Sequence, residues 1–544
     1  MTMRKRFLAP LLLTASMAGA QQLAETIEVR VTSIDVVVTD RAGHPVHDLT
    51  KDDFELYENR KLQPITNFYE IKGETPDAAS ASKEAAVAPP EMRKRSVVVF
   101  IDNSSIDPLR RNQVIDSLMK AINTLVRPGD DAMVATWNRH FETAQRFSDD
   151  HATLKHSLDA ARDYGASASA MPVQKANVMN EARAMLAAAR EGRMKISDAY
   201  AASVDAARAY AESMRQTEIL LLRSMTQTTS MLSGVDGKKI LIFVGGELEE
   251  HPGLDVFQLV DSLFAGAIRN MMPAVIREGG MNTTADVLKL ARNAKANGVT
   301  IYMLDALDRT GDAAESAIPD PEVEFTNETN SYFSMVRLAS NTGGTVLSGS
   351  RNFALALDNI SRDLGSYYSL GCRPSDNGGT DRSINVKVKR PGLVVRSRHG
   401  YAIRTADEQT NDHVIANAFH SSIKGDFPVV VAADKPESFE KHLFKVKLTI
   451  TFPSSLTYLP DGENVAGEYT VFFATAQDDG AVSPVGKQVQ SVKFPATTLE
   501  AVKRRPFTHS TVLVVRAGTQ TLSVAVFDRY GARTGYARTT INAR

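Results

Sequence analysis

The chain has 544 residues, 63 of them basic and 64 acidic, for a net charge of −1, and 43% are apolar. Single cores seldom grow past roughly 250–300 residues, so this length calls for several domains. The balanced charge, with no run of five or more like charges, excludes a global pull toward nucleic acid or anionic membrane, and partners must be recognised locally.

The first segment, Met1 to Ala20, joins a basic head (Arg4, Lys5, Arg6) to an apolar stretch from Phe7 to Ala15 and a small-residue cleavage site, Ala18-Gly19-Ala20. It reads as a secretory signal peptide cut before Gln21. The apolar run falls well short of the roughly 20 residues a spanning helix needs, and no later segment has that length. An exported protein, periplasmic or secreted, is expected, with no transmembrane segment after cleavage. Residues 25–72 then read as a small N-terminal β module. Ile27, Val29 and Val31 alternate with polar residues, Ile34, Val36 and Val38 share one face, and Phe54, Leu56, Ile65 and Phe68 close the unit. Residues 73–95, rich in Ala, Ser, Pro and Glu without apolar periodicity, form a linker.

Within residues 96–403, the stretch up to about residue 365 alternates strands with helices. Strands are expected at Ser96–Ile101, Ala132–Trp137, Ile240–Val244 and Val299–Leu304, and helices near Pro108–Val126, Ala152–Tyr164, Ala285–Ala296 and Phe353–Leu364. This order predicts an α/β fold, a mostly parallel, doubly wound Rossmann-like sheet. The Ala-rich stretch from Val173 to Leu232, with no Pro, is a helical insertion of one broken or two consecutive helices. Its apolar stripe (Ile219, Leu221, Leu222, Met225) suits a hairpin packed on the domain, and a projecting arm for a partner is the alternative. Residues 366–403 form a β extension. It contains Cys372, the only cysteine, which rules out an intramolecular disulfide or a thiolate metal cluster and reads as a small buried hydrophobe. Alternating runs over residues 415–544, such as Val446, Leu448 and Ile450 or Leu522, Val524 and Val526, are separated by turns and predict a β-sandwich-like domain.

The chemistry concentrates where strands end. Val97–Ile101 runs into Asp102-Asn103-Ser104-Ser105-Ile106, and Ile240–Val244 runs into Gly245-Gly246-Glu247. The carboxyl ends of strands in an open α/β sheet border the crevice where ligands bind. Hard oxygen donors there suit Mg²⁺, Mn²⁺ or Ca²⁺, but Ile106 occupies the third donor position and Gly245 stands where an Asp is expected. Asp102 and Ser104 are candidate metal ligands of such a degenerate site. Asn103, Ser105, Ser167 and Trp137, the sole tryptophan, are candidate partner contacts, with core packing the alternative for Trp137. Asp305, closing the strand Val299–Leu304, either caps the following turn or adds negative charge to the crevice.

Taken together, three stretches resemble the VWFA-related proteins of acidobacterial type, exported proteins carrying a von Willebrand factor A-like domain. They are Val36-Val37-Val38-Thr39-Asp40 with Gly43, Pro45, Val46, Leu49, Thr50, Asp53 and Phe54; Phe100-Ile101-Asp102-Asn103-Ser104; and Asn297 to Tyr302 with Asp305, Thr342-Gly343-Gly344 and Tyr367 to Gly371. The likeness covers about residues 27–403. It implies a metal-ion-dependent adhesion site built from Asp-x-Ser-x-Ser, a Thr and an Asp on three loops, of which only Asp102 and Ser104 map; Ser169 in place of the Thr and Glu247 in place of the Asp are the remaining candidate metal ligands. It also implies that Mg²⁺ or Ca²⁺, where present, is completed by a carboxylate of the ligand.

No His-Glu-x-x-His, phosphate-binding loop or Gly-x-Ser-x-Gly elbow occurs, and no His has a sequence reason to lie beside Ser104. The expectation is a non-enzymatic binding or adhesion-type protein for a protein or extracellular polymer ligand. The alternative is a metal-free structural scaffold of the cell envelope.

Overall fold

The computed structural model describes residues 32–72, 89, 93–163, 170–246, 248–266, 272–306, 321–347, 352–375, 380–420 and 423–544. The segment read as a signal peptide, most of the expected linker, and the candidate residues Ser167, Ser169 and Glu247 lie outside the described residues.

The fold is mixed α/β. The N-terminal segment forms β1 (Thr32–Thr39), β2 (Phe54–Glu58), β3 (Lys61–Gln63) and β4 (Asn67–Ile71). The central unit contributes β5 (Arg95–Asp102), β6 (Asp131–Trp137), β7 (Phe141–Ser148), β8 (Lys238–Gly245), β9 (Val299–Asp305) and β10 (Val346–Leu347). Its helices are α1 (Pro108–Leu125), α2 (His151–Ala160), α3 (Ala170–Arg190), α4 (Ile196–Met231), α5 (Leu254–Leu263), α6 (Ala274–Arg277), α7 (Thr284–Asn297), α8 (Pro321–Thr342) and α9 (Phe353–Gly365). Four short strands follow, β11 (Tyr367–Cys372), β12 (Asp381–Val388), β13 (Val394–Ser397) and β14 (Gly400–Ala402), then α10 (Ala406–Phe419).

The central sheet has the order β10-β9-β8-β5-β6-β7, parallel throughout except for the antiparallel edge pair β6 and β7. Every residue of β5 is buried, as a strand covered on both faces requires. Side chains alternate between faces, so Val97, Val99 and Ile101 meet α1 and α9 through Ile115, Leu118 and Leu357. Val98 and Phe100 meet α4, α7 and α8 through Leu222, Met225, Leu290 and Leu338. The expected mostly parallel sheet with helices on both faces is therefore present.

The Ala-rich insertion is two helices, α3 and α4. The C-terminal part of α4 joins the domain core through Leu221 and Leu222, whereas Tyr200, Val204 and Ala207 build a separate apolar cluster with Met179 of α3 and Val256 and Phe257 of α5.

The β strands on either side of the central unit in sequence are one structure in space. β1 pairs antiparallel with β11 and β13, giving the sheet β13-β1-β11-β4, and β12 pairs with β2, giving β14-β12-β2-β3. The two sheets enclose one core of Ile34, Val36, Leu56, Phe68, Tyr368, Leu370 and Ile384. The stretches that the sequence divides into an N-terminal module and a β extension thus complete each other, which relieves a module too small to be stable alone. At the far end, residues 430–543 form a second pair of antiparallel sheets around Val446, Leu448, Ile450, Leu522 and Val524, and Val414 of α10 packs on their Phe472 and Phe527.

Candidate functional site

Strand order reverses at β5: the chain moves to one side for β6 and β7, then crosses to the other for β8, β9 and β10. The C-terminal ends of β5 and β8 therefore flank the switch point of the sheet, the place where open α/β sheets bind ligands. Asp102 is the last residue of β5 and is 1% exposed. Its Oδ1 accepts from the Ser104 backbone N–H at 2.9 Å and the Ser104 hydroxyl at 2.6 Å, and its Oδ2 accepts from the Ser105 hydroxyl at 2.7 Å. The Gly246 N–H donates to Ser105 Oγ at 2.9 Å, which ties the loop after β8 to the turn after β5. Such charge-assisted bonds hold a buried carboxylate that would otherwise be costly to desolvate.

The turn is fixed downstream by α1. Asp107 caps the helix, accepting from the Leu109 N–H at 2.8 Å, and Pro108 begins it where no amide donor is needed. Ile106 is 1% exposed and packs into the core with Val99 and Ile115. The position where the adhesion-site pattern has a hydroxyl is thus an apolar anchor.

Of the candidate partner contacts, Ser105 is half-buried at the switch point, whereas Asn103 and Trp137 are 0% and 2% exposed. Trp137 packs in the layer of Phe100 and Phe243, its core alternative, and neither residue offers a surface to a partner. The Asn103 backbone N–H donates to the Trp137 carbonyl at 2.8 Å, but its side-chain amide has no partner among the described residues. Asp305 is 2% exposed and stands in register with Gly245, placing a second buried carboxylate on the same sheet edge.

The loop after β8 carries two further buried carboxylates that sequence reasoning passed over. Glu250 accepts from Thr284 Oγ1 at 2.6 Å and pairs with Arg337 at 3.1 Å, and Glu249 accepts from the Gly253 N–H at 3.3 Å. The signal was the run Glu247-Leu248-Glu249-Glu250 directly after a buried strand. Both carboxylates brace the loop.

The adhesion-site donor set is incomplete in the described residues. They supply Asp102 and the hydroxyls of Ser104 and Ser105 at the turn, Ile106 is turned into the core, and Gly245 brings no side chain. No group of three or more His, Cys, Asp or Glu able to hold a metal occurs among the described residues. No described helix is long and apolar enough to cross a membrane.

No family model matches the chain, and no curated protein matches it. Among solved structures, it is similar to an aerotolerance-related membrane protein from Bacteroides fragilis at 11% identity and a TM-score of 0.24, over 49% of this chain and 98% of that one. It is also similar to the conserved hypothetical protein BatB from Bacteroides thetaiotaomicron at 12% identity and a TM-score of 0.23, over 50% and 96% of the two chains. The three N-terminal domains of the type V pili tip protein Mfa5 from Porphyromonas gingivalis match at 10% identity and a TM-score of 0.25, over 78% of this chain and 75% of that one. Scores this low assign neither fold nor function.

Proposed function

We propose that this is an exported, non-enzymatic binding protein of the adhesion type, whose central unit is a von Willebrand factor A-like domain with a degenerate ion site. Its ligand is a protein or an extracellular polymer. The observation that carries the reading is the placement of the Asp102-Ser104-Ser105 turn at the switch point of the sheet. Both serine hydroxyls donate to Asp102 and so are not poised against an imidazole as a nucleophile would be. Because the turn satisfies its own carboxylate and Ile106 seals one donor position, recognition at this rim proceeds without a resident cation. The second reading, a metal-free envelope scaffold, draws on the burial of Asn103 and Trp137, which leaves a small rim.

The test combines two measurements on the mature chain. Adhesion to envelope and exopolymer fractions of the source cells is expected to persist in EDTA and to fall at least tenfold in Ser105→Arg, which blocks the rim. Adhesion indifferent to Ser105→Arg would favour the scaffold. Calorimetric titration with Mg²⁺, Mn²⁺ and Ca²⁺ is expected to give no saturable heat. A saturable signal abolished by Asp102→Ala would instead establish a working ion site, with Ser169 and Glu247 as its remaining candidate donors.

A further inference from the structure

The opposite edge of the central sheet holds a cavity of about 220 Å³ between that sheet and the β1–β4/β11–β14 sandwich. Its walls include Lys238 and Lys239 at the start of β8 and Thr300 of β9 on one side, and Ser33, Asp35 and Arg398 on the other. Ser33 and Gly298 are exposed, so the cavity opens to solvent.

Three cations share this space without a carboxylate within ion-pairing distance among the described residues. The Lys238 ammonium lies 3.7 Å over the Tyr367 ring, and its polar contact is the Asp363 carbonyl at 3.4 Å. The Lys239 ammonium donates to the Val235 carbonyl at 3.1 Å. Arg398 donates to the Lys295 carbonyl at 3.0 Å and to the Ser33 carbonyl, while its Nε is buried without a partner among the described residues. Among the described residues Asp35 is the only acidic part of the wall, against three basic side chains. Burial lowers the proton affinity of all three bases, holding Lys239 at about 8. Desolvating cations without a counterion is expensive, and natural structures retain such groups where a partner repays the cost. Lysine and arginine converging with hydroxyls is the donor set that recognises phosphate-type oxyanions.

We propose that this cavity binds a small oxyanion of the phosphate type, held by Lys238, Lys239 and Arg398, and that the bound anion joins the sandwich to the N-terminal edge of the central sheet. The anion is either free phosphate or the phosphoryl group of a small molecule.

Calorimetric titration and thermal melting of the mature chain with inorganic phosphate, at pH 7 and constant ionic strength, test this. One saturable site and a rise in Tm are expected. Lys239→Gln should weaken binding at least tenfold, and Asp35→Asn should tighten it several-fold by removing the opposing charge. Lys435→Gln, at an exposed position in the far sandwich, should change nothing. Because the two cavity variants move affinity in opposite directions, loss of folding in one cannot imitate the result. Tighter binding of glycerol 3-phosphate than of phosphate identifies a phosphorylated small molecule as the ligand, and the reverse order identifies the free ion. Absence of saturable binding for either, or equal affinity in wild type, Lys239→Gln and Asp35→Asn, overturns the proposal.

Discussion

Glu58 and Arg382 show what single residues do here that patterning does not reveal. They sit 0% and 5% exposed inside the first sandwich and pair at 2.6 Å, with Ser375 and Tyr401 hydroxyls also donating to Glu58. In sequence they are two of many charges on strands with alternating polarity, 324 positions apart. Removing one charge strands the other in a dry core, so Glu58→Gln is expected to cost about 3–5 kcal/mol of unfolding free energy, read from urea denaturation. A loss below about 1 kcal/mol would mean that Arg382 reaches water. Cys372 was legible as a small buried hydrophobe, and it is fully buried in the same core, its thiol pushed up to about 11 by burial. Thiol reagents at pH 8 should therefore label it slowly in the native protein and fast in urea, because thiolate is scarce and inaccessible. The Asp102 turn was legible as well, since an apolar strand ending in Asp-Asn-Ser-Ser has few other uses. That Ile106 would face the core and that Asn103 would be fully buried was not, because neither follows from the turn itself.

Elements with a continuous apolar run or a helical stripe announced themselves, and those with neither did not. β5, β8 and β9 are buried on both faces and carry runs of Val, Ile, Leu and Phe. β7 reads Phe-Glu-Thr-Ala-Gln-Arg-Phe-Ser and pairs with β6 through an irregular register, so it lacks the alternation that marks a strand. The pairing of β1 with β11 and β13 escaped for a different reason: antiparallel partners hundreds of residues apart leave no periodic trace. Thr342-Gly343-Gly344, noticed as a motif, has its reason at this scale. A Cβ on Gly344 would stand 1.9 Å from the Ile301 carbonyl oxygen of β9, and one on Gly343, at φ +86°, would meet the Arg398 amide nitrogen at 2.8 Å. Both obstacles are backbone and cannot swing aside. Gly344→Ala is expected to displace β10 from the sheet edge and cost about 1–3 kcal/mol, with accelerated hydrogen exchange at Met303, whose amide bonds the Thr345 carbonyl at 3.0 Å. Unchanged exchange at Met303 would show that the strand accommodates the methyl group.

At the scale of the whole molecule, the far sandwich is joined to the central unit through β7, α4 and α10. The Thr143 N–H donates to the Asp479 carbonyl at 2.6 Å, Arg146 donates to the Gln477 carbonyl at 2.8 Å, and Gln227 donates to the Gly480 carbonyl at 3.3 Å. At the end of α10, His420 is 4% exposed, with its ring 4.1 Å from that of Phe147 and Nδ1 3.9 Å from the Asp131 carboxylate. Burial holds its pKa down at about 4, against an ordinary 6.5, and the attraction of Asp131 only partly opposes this. A histidine depressed in the folded state takes its proton first when unfolded. The stability that depends on its neutral form is thus complete above about pH 6.5 and is lost progressively as pH falls toward 4. The span corresponds to roughly 3 kcal/mol, since each pKa unit is worth about 1.4 kcal/mol. Urea midpoints measured at pH 7.5, 5.5 and 4.5 should fall in the wild type and fall less in His420→Gln, which cannot take the proton. Limited proteolysis should open the boundary near residue 420 before either sandwich, because the charge builds up between the units. Parallel pH profiles in the two proteins would place the acid-sensitive group elsewhere, whereas a flatter variant profile makes this one imidazole the reason the far sandwich is docked at neutral pH and loosened in acid.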